Sequence, residues 1–260
     1  MHYIFSSLAL VFLLFGSCGT PSNGSYKIGI DHSWYPLNFE GKEARVTAFS
    51  NELLEEIAHL KKIKLTGVKQ NWDMLLQNLN EKKYDAILSS MQPYIFYEKT
   101  YDFSNTYLMT GPVLVVPIHS SINSLGMLEG KELGVLQGSS DIALLEKSQG
   151  IMLRMYASFP QMLNDVLNGV IEGAALPLLV AESYTQDLYQ NQLKIATLPL
   201  DDEGLRIITL YKENNALIKL FNEGLRELKQ NGKYLKLLQK WSLDGLALSE
   251  LTPQEINKEK

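Results

Sequence analysis

The chain has 260 residues, 45% of them hydrophobic and 20% charged, with 24 Lys and Arg against 29 Asp and Glu for a formal net charge of −5. That composition excludes collagen-like, low-complexity and disordered classes, and the length gives room for a sizeable core in one large domain or two small ones. No Lys/Arg run exceeds two residues, so nothing draws a nucleic-acid backbone, and a single cysteine excludes an intramolecular disulfide framework and a Cys-rich zinc site.

Ile4 to Phe15 is apolar apart from Ser6 and Ser7, and Gly16, Ser17 and Cys18 follow. A run of about 12 residues is too short to cross a bilayer of about 30 Å, and has the length of a signal-peptide core. Residues 1–17 therefore read as a signal peptide. Phe15-Gly16-Ser17-Cys18 resembles a bacterial lipobox, in which the cysteine is lipidated and becomes the new N-terminus. That resemblance implies a periplasmic chain anchored to a bacterial membrane through Cys18; the alternative is a soluble export signal with an incidental thiol. Residues 18–25, rich in Gly, Ser, Thr and Pro, read as a flexible tether, and 247–260 as a flexible tail.

Tyr26–Ile30 is a strand candidate, broken by Trp34-Tyr35-Pro36. Phe49, Leu53, Leu54, Ile57 and Leu60 share a helical face, with Ser50 as a candidate cap. A strand at 63–68, a helical stripe of Trp72, Leu75, Leu76 and Leu79, and a strand at 84–91 complete a β-α-β-α-β run. That run predicts a parallel sheet with helices on its faces. A second α/β unit of similar size follows. Its strands are expected near 113–116, 132–136, 155–156 and 174–176, and its helices at 142–148, around Met162 to Leu167, and at 178–188. A strand at 205–211, an amphipathic helix carrying Leu217, Phe221, Leu225 and Leu228, a stop at Gly232 and a helix at 234–241 close the pattern. Two such units predict two lobes and a cleft, beyond the carboxyl ends of the strands, where ligands bind.

Catalytic and metal motifs are missing from the sequence. The four histidines show no i,i+3 or i,i+4 spacing, there is no G-x-S-x-G elbow, and Leu125 replaces the first glycine that a P-loop would need before Gly130-Lys131. No cofactor is expected. Gly138-Ser139-Ser140, between a strand and a helix, could hold a carboxylate or phosphate, or could simply cap the helix. Trp34 and Trp72 are either walls for a ligand or core.

Taken together, several segments resemble the bacterial extracellular solute-binding proteins of family 3, the polar amino-acid receptors of ABC importers. They are Lys27-Ile28-Gly29-Ile30-Asp31 with Pro36 to Phe39, Ala48 to Leu53, Trp72 to Leu79 with Tyr84-Asp85-Ala86-Ile87, Tyr101-Asp102-Phe103-Ser104, Leu128 to Val135, and Asn231-Gly232-Lys233-Tyr234 with Lys240-Trp241. The resemblance implies an α/β, type II periplasmic-binding-protein-like fold. Lobe 1 would take 26–112 and 205–246 and lobe 2 would take 113–204, hinged near Gly111-Pro112 and Glu203-Gly204. It also implies a small-molecule solute, ABC permease subunits as partners, and no catalysis.

The binding positions that it implies are Asp31, Trp34, Trp72, Ser90, Gln92, Tyr97, Ser139 and Ser140. Two charged anchors of the family are replaced. Tyr97 stands where an arginine holds the ligand carboxylate, and Pro177 or Leu178 where a carboxylate holds the ammonium. Lys99 and Arg206 are candidate substitutes for the cation, and Asp141 and Glu182 for the anion. With Trp34, Trp72, Tyr94, Tyr97 and Asp31, the pocket would suit a cationic or partly apolar solute. The alternatives are a sensor or scaffold with an altered cleft, or a dehydratase-like enzyme with Asp31 as acid–base.

Overall fold

A computed structural model describes residues 24–35, 37, 39, 41–243 and 245. The signal, Cys18, most of the tether and the tail lie outside them. Two sheets form the frame. The first runs in the order β2-β1-β3-β11-β4, with the short β5 also paired to β11; the second runs β10-β6-β9-β7-β8.

In the first sheet, β1 (Ser25–Ile30) lies parallel between β2 (Lys64–Lys69) and β3 (Ala86–Ser89), as the βαβαβ pattern requires. The connecting helices are α1 (Glu43–Lys61) and α2 (Trp72–Asn80). β4 (Tyr101–Phe103) and β5 (Leu108–Met109) then pair with β11 (Gly204–Leu210), which runs antiparallel to β3. The second sheet has β7 (Glu132–Leu136) parallel to β8 (Met152–Tyr156) and to β9 (Gly173–Pro177). β6 (Pro112–Pro117) lies antiparallel to β9 and to β10 (Leu193–Ile195). Its helices are α3 (Asp141–Leu145), α4 (Phe159–Leu167) and α5 (Leu178–Ser183), the last continuing into a π-helical turn at Tyr184–Leu188. With β11 the chain is back in the first lobe, and it continues there as α6 (Asn215–Gln230) and α7 (Lys233–Lys240).

The helical stripes are what bind these layers together. Leu217, Phe221, Leu225 and Leu228 of α6 are all buried, as are Phe49, Leu53 and Ile57 of α1, which packs against it. Each such side chain contributes roughly 1.5–3 kcal/mol by leaving water. Ser50 does not cap α1. The helix begins earlier, at Glu43, and the buried Ser50 hydroxyl instead lies 2.9 Å from the hydroxyl of Tyr107.

The chain crosses between the sheets twice. Pro112 pairs with Pro177 in the second sheet and Gly204 with Met109 in the first, so each sits one residue across the expected lobe boundary. Thr110 and Gly111 both donate their backbone N–H to the carbonyl of Glu203, at 2.9 and 3.2 Å. The close approach needs glycine on both sides. A Cβ on Gly111 would collide with the Asp201 carboxylate, and one on Gly204 with the carbonyl of Leu108.

Candidate functional site

Three adjoining cavities, of about 260, 300 and 360 Å³, run between the lobes. Glu203, on the second crossing, and Ser140, at the start of α3, line all three. Thr110, on the first crossing, lines the first two. Both lobes and both crossings thus converge on one cleft. A larger hollow of about 500 Å³ lies along α6. Its walls, among them Asn105 and Arg226, come from one lobe, so closure could not seal it.

One end of the cleft is acidic. Asp141, Asp201, Asp202 and Glu203 line the third cavity, with the exposed Lys147 at its edge. Burial, and then the neighbouring Asp201, Asp141 and Asp202, push the Glu203 carboxyl up to about 7. Burial also raises Asp201, against a hydrogen bond from the Glu203 N–H, and raises Asp141, against one from Ser139. Among the described residues no Lys or Arg forms an ion pair with Glu203, Asp201 or Asp141. Arg206 does not fill that role. It is 5% exposed and donates to the Asp202 carboxylate at 2.9 Å, to the Asp202 carbonyl at 2.7 Å and to Gln92 Oε1 at 3.4 Å.

The other end is aromatic. Trp72, Tyr94 and Tyr97 line the middle cavity with Leu37, Leu76, Ser90, Met91 and Gln92. Tyr97 packs on Phe96 with ring centroids 4.3 Å apart, and Trp72 meets Tyr35 edge-on at 5.7 Å. Gln92 is held in place by donating to the carbonyls of Ser90, at 2.9 Å, and Gly204, at 3.4 Å.

The cleft therefore brings together Trp72, Ser90, Gln92, Tyr97, Ser139 and Ser140 of the expected positions. Asp31 and Trp34 do not line it. The Asp31 carboxylate accepts from the N–H and the hydroxyl of Ser33, closing the turn after β1. Trp34, 3% exposed, has a left-handed backbone, sits in the core and donates its indole N–H to Thr47 at 2.9 Å. Of the candidate charge substitutes, Asp141 lies in the cleft. Glu182 is paired with Lys42, Arg206 with Asp202, and Lys99 is exposed and lines none of the three cavities. Nor does the Gly138 loop present a row of free N–H groups. Ser139 donates to the Leu136 carbonyl, Asp141 to Ser139 Oγ and Ile142 to the Ser139 carbonyl. Thr110, Asp201 and Glu203 are the site residues that sequence reasoning missed. The signal available for Glu203 was its place beside Gly204 at the second crossing.

Comparison with known proteins agrees with this geometry. The model of the bacterial extracellular solute-binding proteins, family 3, matches residues 26–244. The L-cystine-binding protein TcyJ of Escherichia coli K12 is 24% identical over 221 residues, covering 84% of this chain and 82% of that protein. The lysine/arginine/ornithine-binding periplasmic protein of the same organism is 27% identical over 224 residues, covering 83% and 86%. The L-cystine solute receptor of Neisseria gonorrhoeae, solved in an unliganded open conformation, shares the fold. Its TM-score is 0.68 at 20% identity, over 86% of this chain and 95% of that one.

Proposed function

This chain belongs to the bacterial extracellular solute-binding proteins of family 3, and from that premise we propose that it captures one small polar or cationic solute in the cleft around Ser140 and Glu203 and passes it to an ABC permease. The observation that carries this reading is the convergence of both lobes and both crossings on one cavity system. A solute that touches both walls is bound more tightly when the lobes close, and so shifts the population toward the closed state. Trp72, Ser90, Gln92 and Tyr97 would form one wall, Ser139, Ser140 and Asp141 the other, and Thr110 and Glu203 the floor. Asp31 and Trp34 would act indirectly, by fixing the turn that leads to Leu37 at the rim.

Cys18 would anchor the chain to the membrane after signal removal. No helix among the described residues is long and apolar enough to cross a bilayer. Fatty-acid labelling of the full chain in a lipoprotein-processing host should give a signal that Cys18→Ser abolishes; equal labelling of the variant would remove the anchor.

The receptor reading predicts that solutes leave the cleft unchanged. One observation favours a second reading, a dehydratase-like enzyme: Glu203, held at about 7, has the pKa of a general acid–base. Incubating the full chain with amino acids, amines and cyclic carboxylates, and following thermal midpoint, scattering radius and product together, separates the two. A bound solute at 100 times its dissociation constant adds about 2.7 kcal/mol, several degrees of midpoint. A compacting, unconverted ligand supports a receptor, turnover supports an enzyme, and silence across the panel overturns solute capture.

A further inference from the structure

At the acidic end of the cleft Glu203, Asp141 and Asp201 form no ion pair among the described residues, and no described cation lines the inner cleft. None of the residues lining the first two cavities is Lys, Arg or His. The groups that face Glu203 are Asp201 and Asp202 from its own crossing, Asp141 from α3, Tyr94 from the aromatic segment and, at the outer edge, the exposed Lys147. Arg206 of β11 lines none of the three cavities; its terminal nitrogens donate to Asp202, Gln92 and, at 3.4 Å, the Ser104 carbonyl, while its buried Nε has no hydrogen-bond partner among the described residues. An ordinary amino acid brings a carboxylate that would be buried here without a partner and close to like charge, which is strongly unfavourable. An ammonium meets the opposite situation. It would neutralise carboxylates that now repel one another, and its methylene chain would lie against Tyr97 and Trp72.

We propose that the solute is an organic amine without a free carboxylate, its ammonium held between Glu203 and Asp141 beside Ser140 and its chain packed against Tyr97 and Trp72. This rests on the solute-capture reading and names the ligand class for it. Asp141 suits the role, because it is 7% exposed yet still lines two of the three cavities. Glu203 suits it because it sits on the hinge, where both crossings feel its charge.

The test uses matched pairs that differ only by the carboxylate: 1,4-diaminobutane and ornithine, 1,5-diaminopentane and lysine, agmatine and arginine, histamine and histidine. Each is titrated calorimetrically into the full chain. The expected result is that in at least one pair the amine binds ten-fold or more tightly than its amino acid. Glu203→Gln should then weaken that amine at least ten-fold without lowering the thermal midpoint, and Asp141→Asn should also weaken it. An amino acid that binds as tightly as its amine in every pair, or an amine indifferent to both substitutions, overturns the proposal while solute capture stands. If no amine binds, the proposal also falls, and capture falls with it only if the wider panel is silent too.

Discussion

A lone carboxylate and a cluster of carboxylates lie between the lobes, and they differ in whether the protein itself supplies the counter-charge. On one side, Glu182 of α5 meets Lys42, which precedes α1, at 2.8 Å, with side-chain exposures of 3% and 12%. On the other, Glu203, Asp141 and Asp201 share a cavity, and among the described residues none of them forms an ion pair, not even with Lys147 at its edge. The first arrangement is complete within the protein and joins the lobes directly. The second is incomplete, and that missing counter-charge is the observation on which the proposed solute site rests. The contrast also explains why Glu182, an attractive candidate from its position, drops out of the site.

The largest effect should come from breaking the complete pair. Lys42→Met strands the Glu182 carboxylate in the interior and should cost about 3–5 kcal/mol in urea denaturation, whereas Lys42→Met with Glu182→Leu should cost far less. A small effect of the single substitution would erase the distinction between the two.

The incomplete cluster should respond in the opposite sense. The folded chain holds the Glu203 proton more tightly than the unfolded chain, with a pKa raised from 4.5 to about 7. Its contribution is therefore neutral below the unfolded value. As pH rises through that interval the native state loses stability relative to the unfolded one, by on the order of 1–2 kcal/mol after solvent screening. Asp141 and Asp201, also raised, act in the same direction. Glu203→Gln should thus raise the thermal midpoint at pH 8 and leave it nearly unchanged at pH 4. A variant less stable at pH 8 would mean that Glu203 is a structural residue.

Smaller effects separate the aromatic residues. Tyr97→Ala should weaken a bound amine by about 1 kcal/mol while Tyr97→Phe leaves it almost unchanged, since the ring face and not the hydroxyl makes the contact. Trp34→Phe should instead cost about 1 kcal/mol of stability, through the lost hydrogen bond to Thr47, and leave solute affinity alone. The reverse outcome would exchange their roles.

Much of the frame was legible because it rests on periodicity. The stripe on α6 and the alternation of strands with helices declare a two-unit α/β chain. β4, β5 and β10 were not legible, since two or three residues carry no period and their pairing is decided by β11 and β6. The start of α1 was missed because its first turn holds Glu43 and Arg45, which add nothing to an apolar stripe. At the site, Trp72, Tyr97 and the Ser139-Ser140 pair could be found from local pattern and resemblance. Glu203 could be placed at the hinge but not in the site, because it meets Thr110 and Asp141 only through the pairing of β5 with β11 and the docking of the lobes. Trp34 misled for a related reason, as its left-handed backbone places a loop tryptophan in the core.

The central claim, that Glu203 and its neighbours form the unfilled half of a charge pair completed by the solute, is tested most directly by titrating 1,4-diaminobutane into the full chain at pH 6 and at pH 8. With the Glu203 carboxyl at about 7, the account predicts affinity about ten-fold higher at pH 8, lost in Glu203→Gln. Affinity that is equal at both pH values, or higher at pH 6, would contradict it.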